Sequence, residues 1–399
     1  MHEYAATPRL LKGTKLQANG SPRPYRICAR TVMDTSDPGI GFDAAGVSNH
    51  YHDFQRNVKP NWHPDETGVK ALEIRADAIR KANRGSEFDC LLGLSGGLDS
   101  SYMLHTVVTR FGLRPLVFHV DGGWNSELAV HNISVLVDKL GLELYTEVIN
   151  WEEMRDFQLA WFKSGVPHID IPQDHAFIAV LYRFAERYGI KTILNGGNIA
   201  TECVMTPLRY FYWGTDMLQI RDVIRRFGTV PMKTYPFSSV FRHKLFLRFL
   251  KGVQVLKPLN MMPYTKADAV ATLQKEYGWK AYPQKHFESQ FTRFFEGYWL
   301  PTRFGFDNRR VQFSSLILTG QMTRDEALAE LERPPIDPEV LPRDFEYVAT
   351  KLGITVDELR GYHEMPMKFY WDYRNRQAIF EAAEKLLSLL GPSRRGGAF

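Results

Sequence analysis

The chain has 399 residues, 44% of them hydrophobic, enough to bury a sizeable core and to carry one main domain with additions. A formal charge of +5 is mild for this length. It fits an anionic small substrate better than a nucleic-acid-binding surface, and no apolar run reaches the roughly 18–20 residues of a membrane span. Cys28, Cys90 and Cys203 form no paired motif, and the polar N-terminus lacks a signal-peptide core. A disulfide framework is therefore not expected, and the expected compartment is the cytoplasm.

Residues 1–85 read as a polar extension followed by a small irregular module and one helix, Glu66 to Ala82. From residue 86 to 262 short apolar strands alternate with helices. The strands are Cys90–Leu94, Pro115–Val120, Leu144–Ile149, Lys191–Asn195 and Val253–Leu256. Helices are expected from Asp99 to about Arg110, over 126–140, and as one long stretch after the third strand. This order predicts an α/β fold, a doubly wound parallel five-stranded sheet, whose ligand sits beyond the C-terminal strand ends. Those ends carry Ser95, Asp121, Asn150 and Asn195-Gly196-Gly197. Residues 263–399 read as a helical C-terminal region. Thr265/Asp268 and Thr355/Glu358 are candidate capping pairs, Gly278 and Gly353 candidate stops, and Trp371 to Leu390 a final helix.

The chemistry-bearing segment is Ser95-Gly96-Gly97-Leu98-Asp99-Ser100-Ser101, between a strand and a helix. Its glycines let backbone N–H groups approach an anion. The helix start adds unpaired donors and a partial positive charge, and Ser95, Ser100 and Ser101 add hydroxyls. Asp99 suits Mg²⁺ or the bracing of the loop better than direct phosphate contact. No lysine closes the loop, which argues against a Walker-type kinase. Gly93-Leu94-Ser95-Gly96-Gly97 also matches the nucleophile elbow of serine hydrolases, but too few strands and no oxyanion loop precede it.

The loop resembles the S-G-G-x-D-S signature of the PP-loop ATP pyrophosphatases, of the HUP fold type. That resemblance implies ATP cleavage between the α- and β-phosphates and transfer of AMP to a substrate oxygen. His119-Val120-Asp121 falls where the superfamily cradles adenine; a half-buried strand role for His119 is equally open.

From Arg26 to Pro334 the chain resembles one branch, the N-acetyl sugar amidotransferases of surface-polysaccharide (lipopolysaccharide O-antigen) and flagellin-sugar pathways. The residues that carry this are Gly278-Trp279, Lys285-His286-Phe287-Glu288-Ser289, Arg293, Tyr298-Trp299-Leu300-Pro301 and Gly305-Phe306-Asp307. Ser314-Ser315-Leu316-Ile317, Gly320 and Ala327-Leu328 continue it. Asn198 and Glu202 fit the family's G-E-N-x-x-x-E segment, although Gly197 replaces its first Glu. The resemblance implies that an acetamido oxygen of a nucleotide-linked sugar attacks ATP, and that ammonia then displaces AMP to leave an acetamidino group. It further implies a separate glutaminase and an ammonia-channel subunit, similar to the two halves of imidazole glycerol phosphate synthase.

For that chemistry Lys285, Arg293, Arg303, Arg309 and Arg310 offer cations to the sugar's diphosphate, while His286 and Glu288 suit proton transfer or sugar hydroxyls. Pairing of the arginines with Glu288, Glu296 and Asp307 is the competing reading. Many relatives carry two C-x-x-C pairs near the N-terminus; here the positions read Cys28, Thr31, Ser48 and Tyr51, so zinc is not predicted. The basic aromatic stretch Val240–Lys251 would dock a partner, touch a membrane surface or snorkel over the core. A tRNA-thiolating or tRNA-amidating member would need a basic face and usually catalytic cysteines, which Cys90 and Cys203 do not supply. A non-catalytic nucleotide-binding scaffold is set against the intact Asp99 and the dense 285–310 cluster.

Overall fold

The computed structural model describes residues 23–240 and 251–389. The expectations for the first 22 residues and for the basic aromatic stretch over 241–250 lie outside the described residues.

Five parallel strands, β1 (Cys90–Gly93), β2 (Pro115–Asp121), β3 (Leu144–Val148), β4 (Thr192–Leu194) and β5 (Gln254–Leu256), form one sheet in the order β3-β2-β1-β4-β5. The chain winds outward from β1 through β2 to β3, then crosses back to lay β4 on the other side of β1. The reversal between β1 and β4 opens the crevice in which such sheets bind ligands.

Alternation along the strands explains why helices cover both faces. Leu92, Leu94, Val117 and Leu194 point into one core, with the helices Leu98–Thr109, Glu127–Leu140 and Lys266–Tyr277. Leu91, Leu116, Phe118, Val120 and Ile193 point into the other, with the helices Trp151–Ser164, Ile171–Arg187 and Met217–Phe227. A third, strongly aromatic core joins the C-terminal helices to Met33 and Ile40 of the N-terminal module.

The long helix expected after β3 is two. Trp151–Ser164 stops at Gly165, which takes a left-handed backbone (φ 73°), and the next helix begins only at Ile171 after Pro167. The final helix starts at Gln377 rather than near Trp371, because a single 3-10 turn at Tyr370–Asp372 intervenes and the Asn375 side chain accepts from the Gln377 N–H. Thr265 and Thr355 cap their helices as expected, and Gly278 and Gly353 end theirs with positive φ. A further capping box, Thr323–Glu326, was not read from the sequence.

In the N-terminal module Val32, Ile40 and Val47 are buried, and Ile27 and Phe42 half-buried. The Cys28 thiol accepts the backbone N–H groups of Arg30 and Ser48, at 3.4 and 3.2 Å. The module is tied to the C-terminal region by Arg324, which donates to Cys28 O and Thr31 O, and by Ser314, whose hydroxyl accepts from Val32 N.

Candidate active site

The loop after β1 folds on itself before it meets any ligand. The Ser100 hydroxyl accepts from Ser95 N (3.3 Å), and the Ser95 hydroxyl accepts from Gly97 N (3.2 Å). Gly96 has φ 81°, and a Cβ there would lie 2.7 Å from Ala129 O. Only glycine satisfies both the backbone and the contact. The Gly96 carbonyl is in turn held by Trp279 Nε1 and Tyr282 Oη at 3.2 and 3.1 Å. Ser101 is fully buried one turn into the helix, away from the cleft.

The turn after β4 packs onto this loop. A Cβ on Gly196 would sit 3.3 Å from Ser100 N, and Asn195 Oδ1 accepts from Gly197 N (2.7 Å). Asn198 caps the short helix Ile199–Glu202, which delivers Glu202 toward the loop. The two loops predicted separately from the sequence thus abut at the β1/β4 reversal.

Residues 284–289 close the site from the C-terminal side. Lys285 Nζ lies 2.8 Å from Asp99 Oδ2, 2.7 Å from Glu202 Oε1 and 3.0 Å from Thr201 Oγ1. Burial alone would depress the Lys285 pKa, but the Asp99 and Glu202 charges outweigh it and hold the ammonium firmly protonated. Tyr264 donates its hydroxyl to the other Asp99 oxygen. Three residues after Lys285, Glu288 Oε1 faces the Ser95 hydroxyl at 3.4 Å, and burial raises the Glu288 pKa. Pairing with the loop after β2 fixes this segment: Ser126 N donates to Glu288 O (3.0 Å) and Gln290 N to Trp124 O (3.0 Å).

His286, between them, is the non-glycine residue with positive φ (66°) among the described residues, a conformation that costs energy and is concentrated at functional sites. Its Nδ1 lies 3.1 Å from Glu296 Oε1. Desolvation opposes the charge, but Glu296 prevails and the pKa is raised to about 9, so the ring is an imidazolium at neutral pH.

A cleft of about 400 Å³ runs from the loops along the sheet edge. Part of its wall is apolar, with Phe118, Phe177, Ile178, Leu181, Leu194 and Val255, and suits a flat base. Part is polar, with Asp170, Asp174, Glu288 and Glu296. His119 lines the cleft, but both ring nitrogens are engaged, Nδ1 with Leu94 O and Nε2 with Asn125 Nδ2, each at 2.8 Å. The ring braces the loop after β1, and with Val120 it lines the cleft. Asp121 is not in the cleft: its Oδ1 accepts from Gly123 N and Asn125 Nδ2 and shapes the following turn.

The arginines require a correction. Arg293 forms a two-point pair with Asp344 (Nε to Oδ2, 2.8 Å), and Arg309 pairs with Asp307 (2.7 Å) while donating to Glu330 O and Arg333 O. Arg310 pairs with Asp34 (3.1 Å) and donates to Val32 O. Arg303 donates to the carbonyls of His363 and Pro366, and burial lowers its pKa to about 10. None of the four lines the cleft. They cross-link the third core, because each guanidinium buried there needs a carboxylate or carbonyl partner, and so they do not form a diphosphate-binding patch. The cations beside the phosphate loop are lysines. Besides Lys285, Lys257 Nζ comes within 3.5 Å of where a Cβ on Gly197 would be, and Lys266 feels the charges of Lys285 and Asp99. Lys257 directly follows β5, so the rule that pointed to the other strand ends would have found it.

No group of three His, Cys, Asp or Glu side chains among the described residues is set to hold a metal ion, and no described helix is long and apolar enough to cross a membrane.

Comparison with known proteins adds a family. Among solved structures, an NMN synthetase from Francisella tularensis overlaps 58% of this chain and 92% of its own, at 16% identity and a TM-score of 0.28. An NH3-dependent NAD synthetase from Campylobacter jejuni, in complex with the nitrate ion, overlaps 54% and 89%, at 16% identity and the same score. At such scores neither overlap bears on activity. A search of curated proteins returns no match. Residues 288–387 match the family described as LPS biosynthesis protein WbpG-like, C-terminal domain. That match begins at Glu288, the residue facing the phosphate loop, and the C-terminal region of this chain is thus similar to the C-terminal domain of WbpG-like lipopolysaccharide biosynthesis proteins.

Proposed function

We propose that the protein is an ATP pyrophosphatase-type amidotransferase of lipopolysaccharide sugar biosynthesis, which adenylates the N-acetyl group of a nucleotide-linked sugar and converts it with ammonia into an acetamidino group. The observation that carries this reading is the meeting of Ser95 with Glu288: a glycine-rich anion loop on one side, and on the other the first residue of a segment matching a lipopolysaccharide-biosynthesis family.

In this reading the residues divide the work. The backbone N–H groups of Gly96 and Gly97 and the hydroxyls of Ser95 and Ser100 hold the nucleotide's phosphates, with the helix Leu98–Thr109 directing its N-terminus at them. Lys285, with Lys257 and Lys266, offsets charge that builds on the departing pyrophosphate. The base lies against the apolar wall of the cleft, beside Val120 and Phe118. Mg²⁺ normally takes one or two carboxylates plus phosphate oxygens, and Asp99, whose oxygens each retain acceptor capacity beyond Tyr264 and Lys285, fits that donor set. When bound, the ion would neutralise phosphate charge. The acetamido oxygen attacks the α-phosphorus from the polar wall. Ammonia then adds to the activated carbon, and AMP leaves with the electrons of the broken C–O bond.

A serine-hydrolase reading loses its chemistry here, since the described partners of the Ser95 hydroxyl are Ser100, Gly97 N and Glu288, with no imidazole to activate it. The acidic wall of the cleft likewise disfavours an RNA backbone.

Incubation with ATP, Mg²⁺, ammonium chloride and candidate nucleotide-linked N-acetyl sugars tests the proposal. The expected result is sugar-dependent release of AMP and pyrophosphate, with a product lighter by the difference between O and NH. Release of ADP and phosphate would overturn it.

A further inference from the structure

We infer that Lys351 is a positioning residue for the proposed reaction: it holds the turn after β2 and, through that turn, sets Glu288 against the phosphate loop. The inference rests on the proposed amidotransferase reaction and adds to it a residue that does not line the cleft.

Glu288 does not hold its own place. Residues 285–288 form neither helix nor strand, and His286 within them has a left-handed backbone. What fixes the segment is antiparallel pairing with the turn 122–126. Asn125 and Ser289 form a bridge, Ser126 N donates to Glu288 O, and Gln290 N donates to Trp124 O. The turn is irregular as well. Gly123 has φ 84°, and a Cβ there would lie 2.6 Å from the Trp151 ring. Two irregular segments paired to each other are placed only as accurately as whatever anchors them.

The anchor is the helix Leu341–Leu352. At its C-terminal end Lys351 donates to Gly123 O at 2.6 Å. The ammonium also lies over three rings, 4.4 Å from the Trp151 centroid, 5.5 Å from that of Trp124 and 5.9 Å from that of Tyr347. The rings attract the cation and so fix the point from which it donates. Two turns earlier, about 10 Å along the axis, Asp344 takes the two-point pair from Arg293. Arg293 belongs to the helix Gln290–Phe294, which Ser289 caps. One helix therefore grips both partners of the pairing, the turn through Lys351 and the segment after Glu288 through Asp344.

The two grips differ in what backs them. Beside Arg293, Phe294 packs on Phe345 of the same anchoring helix, with ring centroids 5.1 Å apart. The turn has less. Apart from the pairing with 288–290, its hydrogen bonds among the described residues run within 119–130, except for the one from Lys351. Without that bond the turn keeps its internal shape, while its distance from the C-terminal region is left to the packing of Trp124. Displacements of about 1 Å at reacting groups cost rate, so the grip acts on turnover rather than on nucleotide affinity.

Lys351→Met keeps a side chain of similar length and loses both the bond and the charge. Amide hydrogen exchange on the full chain gives a readout independent of turnover. Peptides covering 122–130 and 285–291 are expected to exchange about tenfold faster in the variant, with β1 and β2 unchanged. In turnover, kcat for AMP release should fall about tenfold while the KM for ATP stays within about twofold. In a Glu288→Gln background the same substitution should change kcat by less than about twofold, because the group it misplaces is already gone. Lys351→Gln, whose shorter neutral side chain cannot span the distance, serves where Lys351→Met fails to fold. Unchanged exchange, equal losses of kcat in both backgrounds, or a loss confined to the KM for ATP overturns the inference. If no sugar supports AMP release, the proposed function fails, while the exchange experiment still decides whether Lys351 holds the pairing.

Discussion

Glu288 Oε1 occupies the space that a side chain on Gly97 would claim: it lies 3.4 Å from the Ser95 hydroxyl and 2.6 Å from where a Gly97 Cβ would be. The two neighbouring glycines of the loop therefore differ in kind. At Gly97 the obstacle is the far end of a flexible side chain, whereas at Gly96 it is the Ala129 backbone, with a left-handed φ in addition. Gly97→Ala is expected to leave the thermal midpoint nearly unchanged and to cut ATP-dependent turnover about tenfold or more, by displacing Glu288. Gly96→Ala is expected to destabilise the fold itself by about 1–3 kcal/mol. Thermal unfolding and AMP release, measured on both variants, separate the two cases.

Lys285 bridges Asp99 and Glu202 with a single positive charge. Lys285→Met leaves two carboxylates facing the phosphate loop, and the expected result is a raised KM for ATP with a loss of up to about 3 kcal/mol in stability. Added Asp99→Asn should recover part of that stability without recovering activity, as a denaturant titration of the single and double variants would reveal.

The pH dependence of stability carries a signature of His286. Its folded pKa of about 9 stands above the ordinary value of 6.5, so the protonated ring stabilises the fold fully below about 6.5, and that contribution disappears as pH rises through 9. The thermal midpoint of the wild type should therefore fall between about pH 7 and 10 more steeply than that of His286→Asn, which tolerates the left-handed backbone but carries no charge. Equal slopes would remove the ion pair with Glu296 from the account.

Arg310→Ala distinguishes a cross-link from a substrate contact. Removal of one partner of the buried pair with Asp34 should cost about 3–5 kcal/mol. Material that remains folded should keep its KM for the nucleotide sugar. A large KM effect with little loss of stability would return Arg310 to the site.

Much of this was legible in the residues. The apolar runs at 90–94 and 115–120 are strands because they are buried on both faces, and their turn residues became the site because the sheet reverses at β1. Lys285 and Glu288 were legible through family resemblance, and the structure brings both to the phosphate loop. The arginines misled because the sequence cannot show that Asp34, 276 residues away, is the partner of Arg310. The break between the helices Trp151–Ser164 and Ile171–Arg187 stayed hidden for another reason. It lies inside what the apolar periodicity reads as one continuous helix, and a helix break has no period of its own.

The segment 285–289 reaches the phosphate loop from almost two hundred residues downstream, the separation of Ser95 and Glu288 being 193. Under the proposed function, an exchange of C-terminal regions between two chains of this kind would exchange part of the nucleotide pocket along with the surface proposed to recognise the acceptor. Nucleotide turnover and acceptor choice would then be inherited together, and a chimera joined between β5 and Lys285 would have to match both parents at Asp99 and Glu202 before it could turn over at all.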